Sequence, residues 1–321
     1  MTDGSRAPLL LTHPASLLHQ APGHPESPER LTAIEAAIAA DPELSALPRA
    51  QADPVALSLV EKVHHPGYVA SVVDAGRQVD EEHIGGWLDA DTWIGPGSLE
   101  AAMTAAGAAV EAVRRVLAGD NLSAFSLTRP PGHHATRDVA MGFCLFNNIA
   151  IGAQAGLDAG LERVAIVDFD VHHGNGTQDI FYDRNDVYYM SCHQWPLYPG
   201  TGIHTERGRG EGVGYTLNEP MAAGGGEAGY LQVFDDRFAP ALRQYQPDLL
   251  MLSAGFDAHE HDPLANMRLT TASYGVLAER IRGWAEELCQ GRSVWCLEGG
   301  YDLEGLSGSV VQVLRHLRGQ P

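Results

Sequence analysis

The sequence predicts an α/β fold built on a mainly parallel sheet with helices on both faces. Three features predict it. Short apolar runs rich in β-branched residues alternate with Ala-rich amphipathic stretches, Gly- or Pro-marked loops join them, and polar residues collect just after the apolar runs. In such sheets ligands bind beyond the carboxyl ends of the strands, so the residues that follow each apolar run are where chemistry is sought.

In chain order, strands are expected at Leu9–Thr12, Ser123–Thr128, Val164–Asp170, Val187–His193, Asp248–Ser253 and Ser293–Leu297. Helices are expected near 28–40, 65–76, 97–118, 144–159, 226–244, 271–289 and 303–318. The Gly-rich segment 200–226 reads as a long loop around a short strand near 215–220. Its glycines at 208, 210, 212 and 214 miss the Gly-x-Gly-x-x-Gly spacing of a nucleotide loop. No repeat or linker divides the chain, and residues 1–321 are expected to form one domain.

A hydrophobic content of 44% in 321 residues allows a sizeable core. No run approaches the roughly 18 apolar residues of a membrane span, and the first residues lack a secretory pattern, so a cytoplasmic location is expected. Cys144, Cys192, Cys289 and Cys296 have no Cys-x-x-Cys spacing and are expected to be reduced thiols. A formal charge of −20 disfavours nucleic-acid and membrane-surface binding and favours cationic partners such as lysine peptides or polyamines.

The stretch Val164-Ala-Ile-Val-Asp-Phe-Asp-Val-His-His-Gly-Asn-Gly carries Asp168, Asp170 and His172 at every second position. In an extended strand these share one face, and carboxylates are seldom buried without partners. Other strand ends are polar too: Arg129-Pro-Pro-Gly-His133-His134, Ser191-Cys-His193 continuing to Tyr198, Ala254-Gly-Phe-Asp257, and Glu298-Gly-Gly-Tyr301. Asp170, His172 and Asp257 supply the ligand types of an open catalytic metal site, with zinc the better match and Fe(II) or another divalent ion left open. His133 and His134 offer acid–base chemistry, with Asp168 and Asn175 available to orient them; an Asp partner raises a histidine's pKa, an Asn partner much less. Tyr301 can donate to an oxyanion while Gly299 and Gly300 allow close backbone approach.

Taken together, Arg129-Pro-Pro-Gly-His-His-Ala, Gly142-Phe-Cys-Leu-Phe-Asn-Asn, Asp168-Phe-Asp-Val-His-His-Gly-Asn-Gly-Thr, Ser253-Ala-Gly-Phe-Asp and Leu297-Glu-Gly-Gly-Tyr resemble the zinc-dependent histone deacetylase family from about His24 to Leu306. His24-Pro-Glu-Ser-Pro-Glu-Arg-Leu and Asn175 resemble its class II branch and the bacterial histone deacetylase-like amidohydrolases. The resemblance implies a three-layer arginase/deacetylase domain with about eight central strands. It implies zinc on Asp170, His172 and Asp257, Tyr301 polarising the acyl carbonyl, His134 paired with Asn175 as general base and acid, and His133 paired with Asp168 as electrostatic partner. It further implies Gly142, Phe143, Tyr198, Leu264, Gly299 and the rim residue Asp91 as substrate-binding, and Arg30 near an inner exit cavity. Structural potassium is implied at Asp168, Asp170, His172, Ser191 and Cys192, and at a second site through Phe181, Arg184 and Val187. The implied reaction is hydrolysis of a short-chain acyl amide, most simply acetyl-lysine.

An arginase-like two-metal enzyme would need a carboxylate four residues after the first ligand, where this chain has Gly174. An acetylpolyamine amidohydrolase is the main alternative; the family's polyamine-specific eukaryotic member carries Glu seven residues after the last ligand, where this chain has Leu264. A non-catalytic acyl-lysine reader would need a broken site, and none of the site residues is missing.

Overall fold

The computed structural model describes residues 7–319; the outermost ends of the expected domain, 1–6 and 320–321, lie outside the described residues. The strands in chain order are β1 (Leu9–Leu11), β2 (Arg49–Ala50), β3 (Gly86–Trp87), β4 (Trp93–Ile94), β5 (Ser123–Ser126), β6 (Val164–Asp168), β7 (Val187–Gln194), β8 (Thr216–Met221), β9 (Leu249–Ala254) and β10 (Ser293–Leu297). The helices are α1 (Glu29–Ala40), α2 (Leu57–Val60), α3 (Pro66–Glu82), α4 (Ser98–Ala118), α5 (Asn148–Asp158), α6 (Asn175–Phe181), α7 (Glu227–Val233), α8 (Ala239–Tyr245), α9 (Thr271–Leu288) and α10 (Leu303–Leu317).

Eight strands form one sheet in the order β2-β1-β5-β10-β9-β6-β7-β8, with every pairing parallel. The chain lays down β5, skips two places to β6, runs outward to β8, then returns to fill the gap with β9 and β10. Four adjacent central strands, β5, β10, β9 and β6, therefore end side by side. Side chains alternate between the two faces of the sheet: Ala165, Val167 and Phe169 join a core shared with α1, α9 and α10, while Val164 and Ile166 face one shared with α3, α4 and α5. Both faces are covered, which is why these strands read as nearly continuous apolar runs.

The strand expected at Val164–Asp170 stops at Asp168, and the backbone shows why. After Phe169 N–H donates to Ser253 O (3.2 Å), the next three amides turn to side chains: Asp170 to Asp168 Oδ1, Val171 to Asp257 Oδ1 and His172 to Asp170 Oδ1 (3.2, 2.9 and 2.9 Å). Carboxylates replace the neighbouring strand as acceptors. Other boundaries also differ. The helix expected at 144–159 begins at Asn148, because Asn147 caps it through Oδ1 accepting Ala150 N–H (3.1 Å). Asn175 opens α6 instead of closing a turn. The helix expected at 226–244 is interrupted by a π-helical segment, Phe234–Phe238, just ahead of Pro240, which has no N–H to continue the ladder. The small β3–β4 hairpin, β2 and α2 are too short to leave a periodic signal. All four cysteines are free and buried, and among the described residues no helix is long and apolar enough to cross a membrane.

Candidate active site

Beyond the carboxyl ends of the central strands lies a cleft of about 230 Å³ lined by Asp91, His133, His134, Gly142, Phe143, His172, Tyr198, Leu264, Gly299 and Tyr301, together with Pro131 and Leu197. The first ten were singled out from the sequence; Pro131 and Leu197 were not, since neither carries chemistry of its own. At its floor Asp170, His172 and Asp257 bring one ligand atom each to within 4.8 Å of one another. His172 Nδ1 lies 3.0 Å from Asp257 Oδ2 and 3.3 Å from Asp170 Oδ1. Among the described residues neither carboxylate has a lysine or arginine partner; their remaining contacts are His133 Nε2, 3.9 Å from Asp170 Oδ1, and backbone amides, including Gly299 N–H to Asp170 Oδ2 (2.8 Å). Gly299 is required at this approach, since a Cβ there would stand 2.1 Å from Asp257 Oδ2.

Two fully buried carboxylates without a guanidinium or ammonium are costly unless a cation completes them. Burial holds Asp257 above the usual carboxylate range, with the Asp170 charge adding to it. Burial opposes charge on His172, but its hydrogen bonds to Asp170 and Asp257, and their charges, push it up to about 10. This donor set, two oxygens and an imidazole nitrogen around an open cleft, fits a divalent ion. A second ion beside it in the arginase manner does not fit: a Cβ at Gly174 would lie 2.1 Å from Asp168 Oδ2 and 3.0 Å from His133 Nδ1.

The paired histidines occupy different surroundings. His133 Nδ1 lies 3.1 Å from Asp168 Oδ2, and although burial opposes its charge, Asp168, Asp170 and Glu298 raise it to about 10. His134 Nδ1 lies 2.8 Å from Asn175 Oδ1; burial, with His133 and His172 adding, lowers it well below the usual histidine value. With Asn175 Oδ1 accepting, His134 carries its proton on Nδ1 and keeps Nε2 as a base. Asn175 is turned this way by its amide donating to Met141 Sδ (3.3 Å). Tyr189 OH donates to Asp168 Oδ2 (3.0 Å), and Glu298 accepts Gly132 N–H (2.7 Å) and His133 N–H (3.2 Å). Tyr189, Met141 and the role of Glu298 were missed from sequence; Glu298 alone left a signal, as a carboxylate inside a motif that was otherwise assigned.

Tyr301 packs edge-on to Phe143 (5.8 Å, 90°) and lies over the Arg30 guanidinium (5.0 Å), with its backbone N–H held by Asp262 Oδ2 (2.7 Å). Burial, the largest influence, keeps its hydroxyl protonated and able to donate. Phe143 adopts φ +71°, a conformation worth about 1–3 kcal/mol of strain in a non-glycine residue. Gly142 before it (φ +57°) leaves no room for a side chain, since a Cβ would meet His134 Cδ2 at 2.3 Å. Asp91 Oδ1 accepts Gly142 N–H (3.0 Å) and so tethers this turn to the β3–β4 hairpin. Tyr198 stands edge-on to His134 (5.2 Å, 86°) at the exposed rim. Asp168 and Ser191 sit opposite each other in the β6–β7 ladder with Cys192 next, while Phe181, Arg184 and Val187 occupy the turn from α6 into β7, away from the cleft lining.

Residues 24–317 match the family model for the histone deacetylase domain. The chain belongs to the histone deacetylase family. A histone deacetylase 10, chloroplastic, from Oryza sativa subsp. japonica is 41% identical over 98% of this chain and 73% of its own length. A histone deacetylase-like amidohydrolase from Pseudomonas aeruginosa is 41% identical over 88% of this chain and 73% of its own. A probable deacetylase from Archaeoglobus fulgidus is 40% identical over 92% and 82%. The crystal structure of the HDA15 HD domain superposes with a TM-score of 0.92 at 35% identity, covering 98% of this chain and 89% of that one. The arginase/deacetylase fold is thereby this histone deacetylase relative's own, and its reaction class is hydrolysis of amides.

Proposed function

We propose that this protein removes acetyl or other short acyl groups from lysine side chains or related primary amines, with zinc held by Asp170, His172 and Asp257. The observation that carries the reading is the meeting, in one cleft, of a cation-deficient ligand set, two histidines in opposite electrostatic settings and a protonated tyrosine. A divalent ion in that set would supply a Lewis acid and lower the pKa of water.

His134, kept neutral, takes the proton of the attacking water through Nε2, with Nδ1–H donating to Asn175. His133 stays positive on Asp168 and supplies charge beside the developing oxyanion, to which Tyr301 donates. His134 then returns the proton to the leaving amine. Gly142, Phe143, Tyr198 and Leu264 wall an acyl-lysine chain, and Asp91 sits where a substrate backbone N–H would meet it. Potassium at Asp168, Asp170, His172, Ser191 and Cys192, and at Phe181, Arg184 and Val187, would be structural. We read residues 1–321 as one catalytic domain acting in the cytoplasm.

Acetylpolyamines are the competing substrates. The apolar Leu264 in the cleft lining supports lysine, while the charge of −20 suits either. The test is kcat/KM of the zinc-loaded protein on acetyl-lysine peptides, longer acyl-lysines and acetylpolyamines. Higher values for the acyl-lysine peptides are expected; a dominant acetylpolyamine would overturn the lysine assignment.

A further inference from the structure

A second cluster lies outside the cleft. His259, His261 and Asp302 bring one ligand atom each to within 4.8 Å of one another, on the segment after β9 and the start of α10. His259 is buried, Asp302 half-buried and His261 exposed. Three details give this group the form of a binding site. His259 Nδ1 and Asp302 Oδ1 converge over Gly305, where a Cβ would meet them at 2.6 and 2.9 Å. His259 Nδ1 accepts His261 N–H, which places the ring proton on Nε2, 3.1 Å from Thr271 Oγ1, and leaves the Nδ1 lone pair on the side of the cluster. Among the described residues that lone pair has only the long contact from His261 N–H (3.3 Å), and Asp302 Oδ1 caps α10 by accepting Gly305 N–H (2.6 Å) while Oδ2 takes no hydrogen bond.

We propose that His259, His261 and Asp302 bind a second divalent transition-metal ion, separate from the one at Asp170, His172 and Asp257. Two imidazoles and a carboxylate select zinc, cobalt or nickel over magnesium or calcium. Bond lengths of about 2.0–2.1 Å require ligand atoms about 3.4 Å apart. The exposed His261 ring, 5.2 Å from that of His259, is free to turn and close the set. The ion would tie the segment that carries Asp257 to the one that carries Tyr301, adding to the bonds Asp262 already accepts from Tyr301 and Asp302 N–H (2.7 and 3.4 Å). This is no arginase-type pair, because the ligands lie on other loops and the arginase position is Gly174.

The experiment is a Co²⁺ titration of the metal-free full chain, followed by visible absorption, bound metal after dialysis and Tm. Wild type is expected to take two equivalents, the second weaker and raising Tm further. His261→Ala should take one, lose the second spectral step and its Tm rise, and keep kcat. A wild-type chain that stops at one equivalent, or a His261→Ala variant that still takes two, overturns the proposal. Asp257→Asn separates the sites: it should keep the equivalent that His261→Ala removes, and losing that equivalent as well would overturn their independence.

Discussion

Two buried ionic clusters lie back to back, and they handle charge in opposite ways. In the first, the fully buried Glu26 accepts from both Arg129 (2.6 Å, and a second shorter contact) and Arg30 (3.0 Å), while the guanidiniums spend their other donors on Ser16, His19, Glu298 and Gly300 carbonyls. Burial opposes the Glu26 charge, yet Arg129, His19 and Arg30 bring its pKa down to about 2. In the second, Asp168, Asp170 and Asp257 pair with two histidines, His133 and His172, Glu298 lies beside them, and among the described residues none of these carboxylates meets a guanidinium; burial raises Glu298 to about 7. A cluster whose charges the chain itself satisfies is architecture; one left short of a cation is built to receive something.

The largest expected effect breaks the second cluster alone. Asp257→Asn should abolish metal binding at the cleft and lower kcat/KM by more than about 10³, with metal-free Tm no lower than wild type, because one of two adjacent buried carboxylates without a lysine or arginine partner is neutralised. Metal content and thermal melts check it; a full metal complement in that variant would contradict the ligand assignment. Glu26→Gln should do the reverse. It leaves two buried guanidiniums short of a partner, costing about 3–5 kcal/mol in urea unfolding at pH 7, while bound metal per folded chain stays unchanged. A cost below about 1 kcal/mol, typical of surface pairs, would erase the contrast.

A smaller effect probes the first cluster by pH. Burial lowers His19 to about 4 in the folded chain, so its stability contribution is complete above the unfolded value of 6.5 and is lost as pH falls toward 4. Glu26, with a folded value of about 2, contributes fully above 4.5 and loses that only as pH drops toward 2. Stability should therefore fall by up to about 3 kcal/mol between pH 6.5 and 4 on account of His19, and His19→Gln should flatten that segment. An identical slope in wild type and variant would remove His19 from the account.

Much of this was legible in the sequence because parallel sheets write themselves plainly. The runs at 123–126, 164–168, 249–254 and 293–297 are buried on both faces, and polar residues follow each. Strand order was not legible: nothing local tells β9 and β10 to return between β6 and β5. The spacing of two in Asp168, Asp170 and His172 pointed to residues that the structure brings together, but for an incomplete reason. The strand ends at Asp168, and the later residues are grouped by amides bonding to carboxylates, one of them Asp257 from another strand. Tyr189 and Met141 were beyond reach, since each acts only through a contact with a distant residue.

The central claim is that the cation-deficient cluster and Tyr301 together perform amide hydrolysis. The most direct measurement is kcat and metal content of Tyr301→Phe on an acetyl-lysine peptide, beside wild type. The account predicts full metal occupancy with kcat lower by about 10²–10³, the usual worth of one oxyanion donor; an unchanged kcat at full occupancy would contradict it.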